Sequence, residues 1–204
     1  HTQDAETEGT RTYGTTTTVG GEHNSLPYSI MSYMEYVGED IAPGASGAGH
    51  SNGFSNTTTL MIDDIAALQH LYGVNEQYKT GDDVYTITSF GTVSARAANG
   101  DVLAGNTINA AIWDAGGTDT ISWVGQSTVA SINLAAGGFC FFGDITGTGD
   151  VDLSHTPWAA GSGILGIAHN VVIENAKGGS AIDAVVGNSA ANILYGGAGS
   201  GVKD

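Results

Sequence analysis

The chain is poor in cysteine, in proline and in positive charge, and it has no long apolar run. Cys140 is the only cysteine among 204 residues, so no disulfide can close within the chain. It sits in Phe139-Cys140-Phe141-Phe142 and reads as a small buried hydrophobe. No base or orienting group stands near it in sequence, which argues against a nucleophile. Only 3 prolines accompany 32 glycines, which points to many tight turns rather than long helices. Five Lys and Arg face 21 Asp and Glu, for a net charge of −16. Phosphate backbones and anionic membrane surfaces both need clustered basic residues, so neither nucleic acid nor such a membrane is an expected partner. No apolar stretch approaches the ~20 residues of a membrane span. No signal peptide opens the chain, and His1 is no translational start, so we expect a chain that is processed, cleaved or incomplete upstream.

What is present is carboxylate among glycine. That pairing suggests calcium, a hard cation that takes oxygen ligands. The plain alternative is a solvated acidic surface kept soluble by repulsion. Residues 1–27 are polar and irregular, and Gly44 to Gly49 reads as a surface loop closed by an exposed His50. One helix is expected, over 60–72. Met61, Ile65, Leu68 and Tyr72 would share a face, Thr58 or Thr59 would cap it, Asp63 and Asp64 would suit its positive end, and Gly73 would end it. His70 falls in the last turn. From about Lys79 the chain becomes short β-type runs between glycines: Val84–Ile87, Ala110–Trp113, Thr120–Trp123, Ile132–Leu134 and Val171–Ile173. This divides the chain into 1–78 and an all-β domain, 79–204. Trp113, Trp123 and Trp158 are expected in the core or on sheet faces rather than in a carbohydrate site.

The tail repeats. Gly178 to Val186, Gly187 to Tyr195 and Gly196 to Asp204 are three nonapeptides in one frame. The frame is that of the calcium-binding parallel β-roll, G-G-x-G-x-D-x-U-x, with the inward apolar position at Val185 and Leu194. The copies are degenerate. Ala181 replaces a glycine, Asn192 and Gly201 replace the aspartate held as Asp183, and Lys203 takes an apolar position.

With Ser29-Ile30-Met31-Ser32-Tyr33, Ile62 to Gly73, Trp113 to Thr120 and Ile173-Glu174-Asn175-Ala176, the sequence resembles the serralysins. These are secreted bacterial zinc endopeptidases of the metzincin group with a C-terminal β-roll. The resemblance runs through nearly the whole chain. It implies a mainly β fold: the C-terminal lobe of a metzincin catalytic domain, with a Met-turn at 29–33 and one helix, followed by a calcium-binding parallel β-roll or β-sandwich domain. It implies that Met31 packs beneath a zinc ion and that Tyr33 ligates it and can swing to stabilise an oxyanion. His1, 31 − 1 = 30 positions before Met31, would be the third histidine ligand. The other two histidines and the glutamate base of HExxH are not in these 204 residues. The chain alone is therefore expected to be inactive.

The resemblance also implies three calcium sites. One takes the Lys79 and Gly81 carbonyls, Asp83, Asp114, Gly116 and Asp119. A second shares Gly117 and Asp119 and reaches the Val172 carbonyl and Glu174. A third uses Gly179, Ala181, Asp183, Gly196 and Ala198, and is weakened by Gly201. The implied protein is a secreted, extracellular Zn2+ and Ca2+ protease acting on proteins or peptides, with its N-terminal portion as a possible separate chain. The competing expectation is a non-catalytic calcium-binding β module: an adhesin, a lectin-like domain or an inhibitory fragment.

Overall fold

A computed structural model describes residues 7–8, 11–12, 23, 25–32, 57–87, 109–143 and 163–198. His1, Tyr33, the 44–50 loop, Trp158 and the end of the third nonapeptide lie outside them. The described elements are β1 (Thr7–Glu8), β2 (Arg11–Thr12), α1 (Ile62–Tyr72), β3 (Val84–Thr86), β4 (Asn109–Ile112), β5 (Thr120–Ser122), β6 (Ala130–Asn133), β7 (Phe139–Phe142), β8 (Gly163–Ile167), β9 (Asn175–Lys177), β10 (Ala184–Val186) and β11 (Ile193–Tyr195). β1 and β2 pair with each other.

The other strands form two sheets, ordered β10-β6-β7-β8-β4 and β11-β9-β5-β3. The chain passes from one sheet to the other along the run β9, β10, β11, nine residues per strand. Neighbouring strands are parallel except around β7, which runs antiparallel to β6 and β8. This is a parallel β-roll interrupted by one reversed strand.

Two-residue alternation sorts the side chains. Tyr85, Ala110, Ile112, Ile121, Ile132, Cys140, Phe142, Leu165, Ile167, Ala176 and Val185 meet in one core between the sheets. Val185 is buried and Leu194 packs against that core, as the repeat frame requires. Trp123 is fully buried, with its indole N–H donated to the Thr128 carbonyl, so it is core and not a sugar platform. Cys140 is also fully buried and offers its thiol to the Asn133 carbonyl; burial pushes its pKa up to about 12.

The outward residues of the five-stranded sheet are covered as well. Met61, Ile62 and Ala111 form a second cluster, with Tyr28 and Phe139 against it. Gly166 makes room for this. A Cβ there would lie 2.9 Å from Ile62 Cγ2. The Thr58 N–H donates to the Asn109 carbonyl and the Ala111 N–H to Thr59 Oγ1, so the segment before α1 runs against β4.

Three local expectations are corrected. The helix starts at Ile62, two residues late, because Thr58 and Thr59 are engaged with β4. The Met61 N–H, just before the helix, donates to Asp64 Oδ2 at 3.0 Å, and the Asp63 N–H donates to the Tyr28 carbonyl. The expected apolar face is buried only at its start, since Leu68 and Tyr72 are 42% and 83% exposed. Val171–Ile173 is not a strand; the chain turns there, with Asn170 at φ 67°, and the strand begins at Asn175. Val171 and Ile173 are buried from within the turn, and β-branching alone misplaced the strand.

Candidate metal centre

The residue just before each strand of the four-stranded sheet is polar: Asp83 before β3, Asp119 before β5, Glu174 before β9 and Asn192 before β11. Strand register sets Val84 against Thr120, Thr120 against Asn175 and Asn175 against Ile193. The four therefore occupy one level and form a row along the edge of the roll. Neighbours are linked. The Asp83 N–H donates to Asp119 Oδ1 at 2.8 Å, the Asp119 N–H to Glu174 Oε2 at 2.7 Å, and Asn192 Nδ2 to the Glu174 carbonyl at 2.9 Å.

Asp114, in the turn after β4, completes a cluster with Asp83 and Asp119. One carboxylate oxygen from each lies within 4.8 Å of the others, and all three residues are buried. Asp114 Oδ2 accepts the Tyr85 hydroxyl and its Oδ1 the Gly116 N–H. Burial raises the Asp114 pKa against the lowering effect of those two bonds. Burial, with the neighbouring carboxylates adding, raises Asp119 to about 6. Burial raises Tyr85 too, and its bond to Asp114 adds to the rise. Asp119 Oδ2 is buried, with no hydrogen-bond partner among the described residues. An oxygen in that state has been stripped of water and given nothing in return.

The backbone around the cluster is drawn in. Gly117 has φ 144°, and a Cβ there would run into the Gly81 carbonyl and lie 3.1 Å from Asp119 Oδ1. Lys79 stands at φ 51° and its carbonyl accepts from the Ala115 and Gly116 N–H groups. The structure thus gathers Lys79, Gly81, Asp83, Asp114, Gly116, Gly117 and Asp119. Glu174 is joined to Asp119, and Val172 lies in the same turn as Glu174 with its side chain exposed.

The tail residues form a separate group. Asp183 is buried, its Oδ2 accepting from the Gly179 N–H at 2.6 Å and its Oδ1 from the Ala130 N–H at 2.8 Å. Burial raises its pKa. A Cβ on Gly178 would lie 2.5 Å from Asp183 Oδ2 and 3.0 Å from the Gly196 carbonyl. The Ala198 N–H donates to the Gly179 carbonyl. Ala181 faces elsewhere, against the cluster of Val129, Phe141 and Ile164.

Of the zinc-related residues only Met31 is described. It lies in a turn and is 57% exposed. Sequence reasoning missed Tyr85 and Asn188, and it placed Asp64 at the helix start without its reach to Ser29 and Ile30. It also missed that the nonapeptide frame extends one copy upstream. Glu174 and Ala176 stand nine residues before Asp183 and Val185, a signal that counting back would have found.

Residues 74–203 match the family model described as peptidase M10 serralysin C terminal. Serralysin C of Dickeya chrysanthemi is 41% identical over 163 residues, 80% of this chain and 28% of that protein. Metallopeptidase AprA of Pseudomonas marginalis is 31% identical over 82% of this chain and 30% of that protein. Serralysin of Proteus mirabilis is 31% identical over 84% and 29%. The chain belongs to the serralysin C-terminal family. It spans under a third of the length of these curated relatives. Among the described residues no helix is long and apolar enough to cross a membrane.

Proposed function

We propose that the chain is the C-terminal portion of a secreted, zinc- and calcium-dependent metalloendopeptidase, with its β-roll held by calcium. The observation that carries the calcium reading is the buried Asp83, Asp114 and Asp119 cluster with an unpartnered Asp119 Oδ2. Three buried carboxylates this close repel one another, and a hard divalent cation is the ligand that suits their oxygens. The donor set fits: Asp83, Asp114, Asp119 and the Lys79, Gly81 and Gly116 backbone for a first ion. Gly117, Asp119, Val172 and Glu174 would hold a second. Gly179, Ala181, Asp183, Gly196 and Ala198 would hold a third, weaker one, with Ala181 contributing through its backbone. Calcium supplies charge neutralisation there; the chain supplies the shaped turns.

In the same reading residues 1–78 close the lower side of the catalytic domain. His1 and Tyr33 would help to hold a zinc ion, with Met31 in the turn that supports the site, and the ion would supply activation of water. The exposure of Met31 supports a turn that presents its face to a further part of the protein. The substrates are proteins or peptides, and the setting is extracellular. The 204-residue chain, lacking the HExxH histidines and glutamate, does not hydrolyse peptides by itself. Purified chain incubated with zinc, calcium and a broad protein substrate tests this. Zinc-dependent cleavage would overturn the inactivity, and the absence of any calcium binding in a titration would overturn the calcium reading.

A further inference from the structure

The turn that carries Met31 is short and polar. The Tyr28 and Ser29 N–H groups donate to the Ser25 carbonyl, and the Ser32 N–H to Ser29. Among the described residues, one tie between the turn and the rest of the protein is a side chain 34 residues away in sequence. Asp64 Oδ1 accepts the Ser29 hydroxyl at 2.7 Å, and Asp64 Oδ2 accepts the Ile30 N–H at 2.9 Å. The same Oδ2 takes the Met61 N–H at 3.0 Å. Ser29 Oγ in turn accepts the Met31 N–H at 3.1 Å. One carboxylate therefore holds the amide just before Met31, the hydroxyl that holds the Met31 amide, and the start of α1.

That start is anchored. Met61 and Ile62 are buried, and Ile62 lies on Gly166 of β8. A second tie runs parallel: the Asp63 N–H donates to the Tyr28 carbonyl, and Asp63 Oδ2 lies 2.7 Å from His23 Nδ1.

We infer that Asp64 is a positioning residue, which fixes the height and orientation of the Met31 turn by clamping it to the buried first turn of α1. This rests on the proposed protease reading, in which that turn floors the metal site. Asp64 touches neither metal nor substrate; it acts through Ile30 and Ser29. Charge-assisted bonds of this kind are about twice as strong as neutral ones, so their loss should loosen the turn without unfolding the helix.

The chemistry of the clamp makes a sharp substitution test. Asp64→Ala removes all three bonds. Asp64→Asn keeps them in form: its carbonyl oxygen can accept from Ile30 and Met61, and its amide can donate to Ser29 Oγ, which has a lone pair to spare. In the 204-residue chain, amide hydrogen exchange at Ile30 is expected to accelerate on the order of ten- to a hundredfold in Asp64→Ala and only severalfold in Asp64→Asn. The ε-methyl NMR signal of Met31 should shift in the first variant and stay in the second. Ser29→Ala is expected to expose the Met31 amide while leaving Ile30 protected, a control that keeps the test alive if Asp64→Ala folds poorly. In the parent protease of the proposed reading, Asp64→Ala should lower kcat about tenfold or more with KM within about twofold, and Asp64→Asn should restore it. Equal Ile30 exchange in wild type and Asp64→Ala overturns the clamp. Wild-type hydrolysis matched by Asp64→Ala overturns the positioning role. No zinc-dependent hydrolysis by the unsubstituted parent overturns the proposed function instead.

Discussion

Two turns of the roll, nine residues apart, are built on one plan and satisfied in different ways. In Gly178–Asp183 the Gly179 N–H donates to the Asp183 carboxylate; in Gly187–Asn192 the Asn188 N–H donates to the Asn192 side-chain oxygen. Each turn opens with a glycine that lets the acceptor oxygen approach the backbone. There the likeness stops. Asp183 gathers N–H donors and is still left buried with a raised pKa. Asn192 adds donors of its own, and its Nδ2 reaches the Glu174 carbonyl and Asn188 Oδ1. Asn188 Nδ2 reaches the Leu134 and Ile173 carbonyls. The amide turn closes its hydrogen bonds within the protein, whereas the carboxylate turns, and the Asp83, Asp114 and Asp119 cluster above all, concentrate negative charge. On the proposed calcium reading, the carboxylate turns would depend on the ion and the Asn188–Asn192 turn would not.

The largest effect should come from removing calcium. A site held at about 100 times its Kd contributes about 2.7 kcal/mol, so EGTA should lower the melting midpoint by roughly 5–10 °C per occupied site. Differential scanning calorimetry of protein shown to contain calcium checks this. No shift would erase the distinction between the two kinds of turn.

Asp119→Asn should invert that response. Asn keeps the oxygen that accepts the Asp83 N–H but removes a buried charge. Calcium response at the cluster should be lost in a calorimetric titration. The calcium-free midpoint should rise by about 2–4 °C, the shift that ~1 kcal/mol produces in a chain of this size.

Exchanging the side chains of the two turns sharpens the comparison further. Asn192→Asp places a carboxylate against the Glu174 carbonyl and Asn188 Oδ1. It should cost about 1–3 kcal/mol without calcium, partly restored by adding it. Asp183→Asn should instead lower the calcium stoichiometry and leave the calcium-free midpoint nearly unchanged. Calcium titration and thermal melts of both variants distinguish these outcomes.

The smallest effect is expected from pH in the calcium-free protein. Burial pushes the folded Asp119 pKa up to about 6, above the ordinary aspartate value of 3.8 that the unfolded chain has. Between those values the folded state binds more protons, so stability is greatest at the acid end and is lost as pH rises through about 6. Calcium, which needs the charged form, should bind more tightly over the same rise. Melts across that range, with and without EGTA, should show opposite slopes.

Local signals made much of this legible. The nonapeptide frame placed Val185 and Leu194 inward, and the run Trp113–Thr120 held two of the three clustered aspartates. What failed was long-range or competing. Val171–Ile173 looked like a strand because β-branched residues suit strands, yet the nine-residue register puts a turn there. Thr58 and Thr59 suit a helix cap by residue type, but β4, some 50 residues later, takes Thr59, and Asp64 does the capping. The Tyr85 bond to Asp114 and the Asn188 bonds to Leu134 and Ile173 join residues with no sequence relation. Only the stacking of coils brings them together.

Amide hydrogen exchange in calcium-loaded and calcium-stripped protein, read at Asp83, Gly179 and Asn188, separates the two kinds of turn. The Asp83 and Gly179 amides are expected to lose protection when calcium is removed, while Asn188 keeps it. Equal loss at all three, or no loss at Asp83, would contradict it.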